Sequence, residues 1–222
     1  MKTELAFILD RSSSMESIRQ SAIDGFNQFL RDQQAAPDQT KLTLVFFDTE
    51  IETRHQSLPI AEFVPLNPDS YVPRGSTALL DAIGDTIDNL GKKFAAMPEA
   101  DRPDHVSISI LTDGEENSST RFTWKDIAKR IKHQTGKYGW EFLFLGASED
   151  AIATAAKMNI HAHNSSAFMA DAAGQGAAMA SFSRKSLATR AKKSGTATPD
   201  QLQDAEAPMS NIVQEEDTKR RG

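Results

Sequence analysis

The sequence predicts an α/β protein built on a mostly parallel sheet with helices on both faces. Short apolar runs, typical of buried strands, alternate along the chain with longer segments whose apolar residues recur at helical spacing. The chain has 222 residues, which suits one domain of this class with a modest extension but is short for two domains. Right-handed crossovers in such a sheet bring the loops that follow its parallel strands to one edge.

Each predicted element follows from a local pattern. Residues 5–9 form an apolar run that predicts the first strand, and a carboxylate and three hydroxyls end it within residues 10–14. Residues 15–34 carry apolar side chains at helical spacing. Ser13, with Glu16 three positions later, predicts a capping box at the start of this helix.

A hairpin is predicted next. Residues 41–47 form the second strand, and three residues link it to a short third strand at residues 51–54. Because a link of that length suits a hairpin and not a crossover, the third strand should run antiparallel at the edge of the sheet. A proline-rich irregular segment, residues 57–74, follows it.

The remainder of the chain returns to alternating helices and strands. The predicted elements are a helix at 78–94, a strand at 106–112, a helix at 123–133, a strand at 140–145, a helix at 149–158, a weak strand at 160–163 and an Ala-rich helix at 166–192. Beyond Ser194 large apolar residues become sparse, which predicts a domain over residues 1–193 and a flexible tail over residues 194–222. Ile212 and Val213 offer that tail a local docking point.

Composition and charge exclude several functions. The formal net charge of −6 disfavours binding to nucleic acid or anionic lipid. The absence of cysteine excludes disulfides, thiolate metal sites and thiol nucleophiles. The first strand begins close to Met1, which leaves no room for a signal peptide, and no apolar stretch approaches the roughly 18 residues that suggest a membrane span. We therefore expect a soluble, cytoplasmic protein.

Oxygen-bearing side chains follow or precede three of the predicted elements on one edge of the sheet. Asp10, Ser12 and Ser14 follow the first strand, Thr77 precedes the helix at 78–94, and Asp113 follows the strand at 106–112. Each group alone has an ordinary explanation, since Asp and Ser favour turns and Thr favours a helix N-cap. Their predicted co-location indicates a site for a hard cation.

These residues resemble the von Willebrand factor type A (vWA) domain with its metal-ion-dependent adhesion site (MIDAS). The motifs are Asp10-x-Ser12-x-Ser14, Thr77 in Gly-Ser-Thr-Ala-Leu-Leu-Asp-Ala-Ile, and Asp113 in Leu-Thr-Asp-Gly, within a resemblance that covers about residues 3–190. It implies a three-layer Rossmann-like fold with a six-stranded sheet ordered 3-2-1-4-5-6, whose third strand is antiparallel. It also implies Mg²⁺ or Mn²⁺ held by Ser12, Ser14 and Thr77, with Asp10 and Asp113 acting directly or through water.

The resemblance further implies a protein partner. The chain looks more like the intracellular vWA domains of bacteria or phage than like the vWA domains of integrins or matrix proteins. By that analogy the partner belongs to a multi-protein assembly, for example an AAA+ ATPase or a stress- or phage-defence system. The donor set agrees, because three hydroxyls with one or two carboxylates leave a divalent ion open to an Asp or Glu from a partner. Calcium is disfavoured, since its cages usually offer more carboxylates.

The role of two neighbouring glutamates and the possibility of an enzymatic function are the alternatives that the sequence leaves open. Glu115 and Glu116 could add charge near the ion, hold an auxiliary ion or face solvent, and we favour solvent. A haloacid-dehalogenase-like phosphohydrolase would use Asp10 as its nucleophile. Ser12 stands where that enzyme needs a second carboxylate, so we expect a binding module and not an enzyme. His161-x-His163 places two imidazoles on one strand face, but no third ligand is evident.

Overall fold

The computed structural model describes residues 1–222 and has a six-stranded sheet at its centre. Its order is β3-β2-β1-β4-β5-β6, with β2 and β3 antiparallel and every other pair parallel. The strands are β1 (Lys2–Asp10), β2 (Gln39–Phe47), β3 (Ile51–Pro59), β4 (His105–Thr112), β5 (Glu141–Gly146) and β6 (Ser165–Ala167). This topology confirms the predicted fold class, including the antiparallel third strand.

Helices cover both faces of the sheet. They are α1 (Arg19–Gln34), α2 (Leu79–Ala95), α3 (Trp124–Tyr138), α4 (Ala151–Lys157), α5 (Ala172–Ser194), α6 (Pro199–Glu206) and α7 (Met209–Arg221). One core cluster joins α1, α5 and α7 to one face, and a second joins α2, α3 and α4 to the other. No helix combines the length and the apolar character that crossing a membrane requires.

The central position of β1 fixes where the functional loops lie. Phe7 on one face and Ile8 on the other are both fully buried, which explains the continuous apolar run in the sequence. β1 pairs in parallel with β2 and β4, so that Asp10 lies opposite Phe47 and Leu9 lies opposite Leu111. The loops after β1 and β4 therefore begin side by side at the carboxyl edge of the sheet.

The last strand lies later in the sequence than predicted. Residues 160–163 were expected to form it, but residues Ala162–Asn164 form a 3₁₀ turn, and β6 occupies Ser165–Ala167. Ile160 is buried while both flanking positions are not, so a single apolar residue produced the strand-like pattern. The following helix also begins later, because Asp171 caps α5 by accepting a hydrogen bond from the Gly174 N–H.

The carboxyl-terminal residues form packed helices where the sequence predicts a flexible tail. Residues 194–222 contain α6 and α7, which both contact α5. Met209, Ile212 and Val213 of α7 are buried, as their local docking requires. Arg184 of α5 forms ion pairs with Asp204, Glu215 and Glu216. Sparse apolar residues suffice here, because α5 offers both a buried face and a positive charge.

Candidate metal centre

The loops after β1 and β4 place four of the predicted site residues in one hydrogen-bonded group. The Ser12 backbone N–H donates to Asp10 Oδ1 over 2.7 Å. The hydroxyl oxygens of Ser12 and Ser14 are 3.0 Å apart, and Ser14 Oγ donates to Asp113 Oδ1 over 2.7 Å. Asp113 is 99 residues from Ser14 in sequence, so this contact exists only because β1 and β4 are neighbours.

Thr77 completes the group from a third loop. A Cβ atom placed on Gly114 would lie 3.0 Å from Thr77 Oγ1, 3.7 Å from Ser14 Oγ and 3.8 Å from Ser12 Oγ. Three hydroxyls from two separate loops thus surround one point, which a side chain at position 114 would fill. Neutral hydroxyls beside two carboxylates are donors that Mg²⁺ and Mn²⁺ accept, so the residues fit the cation that the sequence implies.

The ordinary explanations for two of the hydroxyls do not apply. The predicted capping box at Ser13 and Glu16 is wrong: a 3₁₀ turn runs over Ser13–Ile18 without a side-chain cap, and Ser13 Oγ donates to the Gly75 carbonyl. Ala78, and not Thr77, is the N-cap of α2, which also lacks a side-chain cap. The Thr77 hydroxyl is therefore not used to begin the helix.

Two residues that the sequence analysis missed hold Asp10 in place. Thr112 Oγ1 donates to Asp10 Oδ2 over 2.5 Å, and the Tyr71 hydroxyl donates to the Asp10 carbonyl over 2.5 Å. Thr112 could have been found, since it precedes Asp113 in the matched motif. Tyr71 lies in the proline-rich segment and had no such signal; it is fully buried beneath the site.

The two carboxyl groups of the site lie where their negative charge is disfavoured. Burial raises the pKa of Asp10 to about 6, and the nearby charge of Asp113 adds to this effect. Burial also raises the pKa of Asp113. Hydrogen bonds from Thr112, Ser12 and Ser14 oppose these shifts without cancelling them. A positive charge near both groups would stabilise their ionised forms.

A buried arginine ties the first loop to the β2–β3 hairpin. Arg11 forms ion pairs with Asp48 over 2.7 Å and with Glu52 over 2.6 Å. The Asp48 carbonyl in turn accepts a hydrogen bond from the Ala78 N–H, and the Arg11 carbonyl accepts one from the Arg74 N–H. The loops that carry Ser12 and Thr77 are therefore fastened to one support.

Glu116 fastens the Asp113 loop to the start of α2. Its Oε2 accepts hydrogen bonds from the Leu80 N–H at 2.8 Å and from Ser119 Oγ at 2.7 Å. Its Oε1 accepts from the N–H groups of Ser118 and Ser119. The expectation that both glutamates face solvent is thus wrong for Glu116, whereas Glu115 is exposed.

The neighbouring Asn117 connects the same loop to Thr77. Asn117 Oδ1 accepts from the Thr77 N–H over 2.9 Å, and the Thr77 carbonyl accepts from the N–H groups of Asn117 and Ser118. Both sides of the Thr77 peptide backbone are therefore bonded to the loop that begins at Asp113. The relative positions of these two site residues are set by backbone contacts and not by their own side chains.

The donor set is rich in hydroxyls and poor in carboxylates. No group of three or more His, Cys, Asp or Glu side chains is arranged to hold a metal ion, and His161 and His163 gain no third ligand. The site instead combines the carboxylates of Asp10 and Asp113 with three hydroxyls. Such a set is not a closed cage and leaves positions for further ligands.

Solved structures with the same fold support this architecture. The chain is similar to proximal thread matrix protein 1 from the mussel byssus, solved with a zinc-occupied MIDAS motif, at 16% identity and a TM-score of 0.56, covering 83% of this chain and 46% of that one. It is similar to a von Willebrand factor type A structure from Catenulispora acidiphila, at 16% identity and a TM-score of 0.54, covering 84% and 43%. It is also similar to manganese-loaded TRAP protein from Plasmodium vivax, at 13% identity and a TM-score of 0.53, covering 76% and 68%.

These likenesses define the class of fold. No family model matches the sequence, and a search of curated proteins finds no match. The chain spans less than half the length of the mussel and Catenulispora chains. At these identities the similarity shows architecture alone: the chain has the vWA α/β fold, with a six-stranded sheet in the order expected for it.

Proposed function

We propose that this chain is a metal-dependent protein-binding module. Its cation is Mg²⁺ or Mn²⁺, held by Ser12, Ser14 and Thr77 with Asp10 and Asp113 acting directly or through water. The observation that carries this proposal is the convergence of three hydroxyls on the point beside Gly114, next to the two carboxylates. Two solved structures with this fold, the mussel protein with a zinc-occupied MIDAS motif and the manganese-loaded Plasmodium vivax protein, are consistent with a divalent ion at such a site.

The partner supplies the group that the site lacks. Five protein oxygens with only two carboxylates leave a divalent ion able to accept another anionic ligand. Ser14 is exposed and Asp113 is half-buried, so a partner side chain can reach this edge. We infer an Asp or Glu carboxylate from a protein partner. The sequence resemblance suggests that this partner is an AAA+ ATPase or a component of a stress- or defence-related assembly.

Binding is favoured over catalysis by the chemistry of the same residues. A phosphohydrolase that used Asp10 as its nucleophile would need a nearby acid or base for the leaving group. Ser12 occupies the corresponding position, and its hydroxyl lies against Ser14 Oγ. Asp10 is fully buried, with its oxygens bonded to Ser12 and Thr112. We therefore propose that the chain is not an enzyme.

Metal-dependent unfolding tests the site directly. Mg²⁺ or Mn²⁺ at a hundredfold excess over Kd should raise the free energy of unfolding by about 2.7 kcal/mol, provided that the unfolded chain does not bind the ion. Ser14→Ala is the preferred variant because Ser14 is exposed and its loss leaves the core intact. Asp150→Ala, which changes an exposed carboxylate outside the site, is the control. Equal metal responses in all three proteins would show that the site is misassigned.

Partner capture tests the proposed role. The full chain should retain protein partners in Mg²⁺ and release them in EDTA, and Asp113→Ala should retain fewer. Recovery of the same partners under every condition would remove the cation from the interaction. Turnover of a generic phosphoester that disappears in Asp10→Ala would instead support the hydrolase.

A further inference from the structure

A cavity of about 420 Å³ lies beside the metal centre at the same edge of the sheet. Its first wall is Ala147, whose N–H donates to the Thr112 carbonyl over 3.1 Å. Thr112 is the residue whose hydroxyl holds Asp10. The cavity therefore begins one strand away from the site, and it continues past Phe168 at the end of β6.

Part of the cavity lining comes from α7, beyond the region that resembles the vWA domain. Val213 and Asp217 of α7 line it together with Phe168 and Met169. Met169 is 57% exposed, so an apolar wall is presented at the opening. The backbones of Gly174 and Met169 pack closely here, because a Cβ on Gly174 would lie 2.1 Å from the Met169 carbonyl oxygen.

The lining combines apolar walls with negative charge. It contains two carboxylates, Glu149 and Asp217, and no Lys, Arg or His. Asp217 forms an ion pair with Arg221 over 2.8 Å. Glu149 is exposed and takes part in no ion pair of its own. A side chain that suits this lining has a long apolar stem and a positive end, which describes Lys and Arg.

We infer that the cavity is a second recognition site for the same protein partner, and that it takes a Lys or Arg side chain. This inference rests on the proposed function, since the partner's carboxylate on the cation brings the basic side chain to the cavity. The stem would pack on Phe168, Met169 and Val213, and the positive end would meet Glu149.

The spacing of the partner's two residues follows from the sheet. Neighbouring strands are about 4.8 Å apart, so the cavity lies roughly 5–10 Å from the Asp113 loop. An extended peptide advances about 3.3 Å per residue. The basic residue should therefore lie about two or three positions from the Asp or Glu that binds the cation.

Selection from a displayed library of random linear peptides tests this inference. The full chain is immobilised in Mg²⁺, and bound peptides are eluted with EDTA. Wild type should enrich peptides that carry Asp or Glu with Lys or Arg two or three positions away. Glu149→Lys should lose the basic preference and bind a selected peptide about tenfold more weakly, while elution by EDTA persists. Asp150→Lys, which makes the same change at the next exposed position outside the lining, should match wild type.

The possible outcomes separate the two proposals. EDTA-eluted peptides that carry Asp or Glu without a basic residue at a fixed distance would overturn the inference and leave the proposed function standing. The same conclusion would follow if Glu149→Lys and Asp150→Lys behaved identically. If no peptide is released by EDTA, the proposed function fails and the inference fails with it.

Discussion

Replacing Glu116 with glutamine tests whether its hydrogen bonds, and not only its negative charge, support the candidate metal centre. Glu115 and Glu116 both follow Asp113 closely, so Glu115→Gln removes the same charge at the neighbouring position. Only Glu116 accepts hydrogen bonds, from the N–H groups of Leu80, Ser118 and Ser119 and from the Ser119 hydroxyl. The difference between the two variants therefore reports these bonds.

The expected magnitude follows from the donors that lose their acceptor. The best orientation of the introduced glutamine keeps its oxygen on the Ser118 and Ser119 N–H groups and turns its NH₂ group toward Leu80. The Ser119 hydroxyl can rotate to accept, but the Leu80 N–H cannot. A hydrogen bond to a charged group contributes about 1.5–3 kcal/mol, and a carboxylate at a helix N-terminus contributes about 0.3–1 kcal/mol. Because Glu116 is partly exposed, we expect a loss of about 2 kcal/mol in the free energy of unfolding.

The same change should weaken metal binding. Glu116 and Asn117 join the Asp113 loop to Thr77, so releasing one bond lets the two site residues separate. If the metal-bound state is destabilised by about 1.4 kcal/mol more than the metal-free folded state, the Kd for Mn²⁺ rises about tenfold, since each 1.4 kcal/mol is a factor of ten. Urea unfolding in EDTA and calorimetric titration with MnCl₂ measure the two effects. Equal stability and equal Mn²⁺ affinity in Glu116→Gln and Glu115→Gln would refute this account.

Three further changes test other parts of the structure. The side chain of Gln175 is fully buried, and neither of its polar atoms has a hydrogen-bond partner. Gln175→Met should therefore raise the free energy of unfolding, measured by urea denaturation, by about 1–3 kcal/mol. A loss of stability would instead reveal a polar partner of Gln175. Burial lowers the pKa of His105 in the folded chain from 6.5 to about 3. As the pH falls from 6.5 to 3, the unfolded chain therefore binds a proton that the folded chain does not, and the free energy of unfolding falls by up to about 1.4 kcal/mol per pH unit. His105→Gln should show a shallower fall, and an unchanged slope would contradict this account. Met209 is fully buried, so Met209→Ala should lower the free energy of unfolding by about 2–5 kcal/mol if α7 is packed. Leu202→Ala, at an exposed position, is the control and should change stability little. An unchanged stability in Met209→Ala would support the prediction of a flexible tail.

The residues of the site could be predicted because sheet topology converts separate loops into neighbours. Asp10 ends the central strand, Ser12 and Ser14 follow it, and Asp113 follows the strand beside it. Apolar periodicity identifies both strands, and the right-handed crossover rule places both loops on one edge. Nothing beyond local patterns and this rule was needed to predict that these side chains meet.

The supporting residues could not be predicted, because their partners are backbone groups. Tyr71 bonds a carbonyl in β1, and Glu116 bonds N–H groups at the start of α2. A sequence shows which side chains can accept or donate, but it does not show which distant backbone groups a loop leaves free. The packing of α6 and α7, where the sequence predicts a flexible tail, has a related cause. Few apolar residues occur beyond Ser194, and their packing against α5 is accompanied by ion pairs of Arg184 with Asp204 and Glu215 that no local pattern reveals.

The distribution of charge at the carboxyl edge distinguishes the carboxylates that hold the fold from those that serve the site. Asp48 and Glu52 meet the guanidinium of Arg11, and Asp81 meets that of Arg121 and three backbone N–H groups. Asp10 and Asp113 have no cationic partner, and burial raises the pKa of both. One buried and one half-buried carboxyl group without a counter-charge, beside three hydroxyls that face one point, are costly in their ionised forms unless a cation neutralises them. The arrangement that disfavours the ionised carboxylates in the metal-free protein would therefore favour binding of the proposed divalent ion.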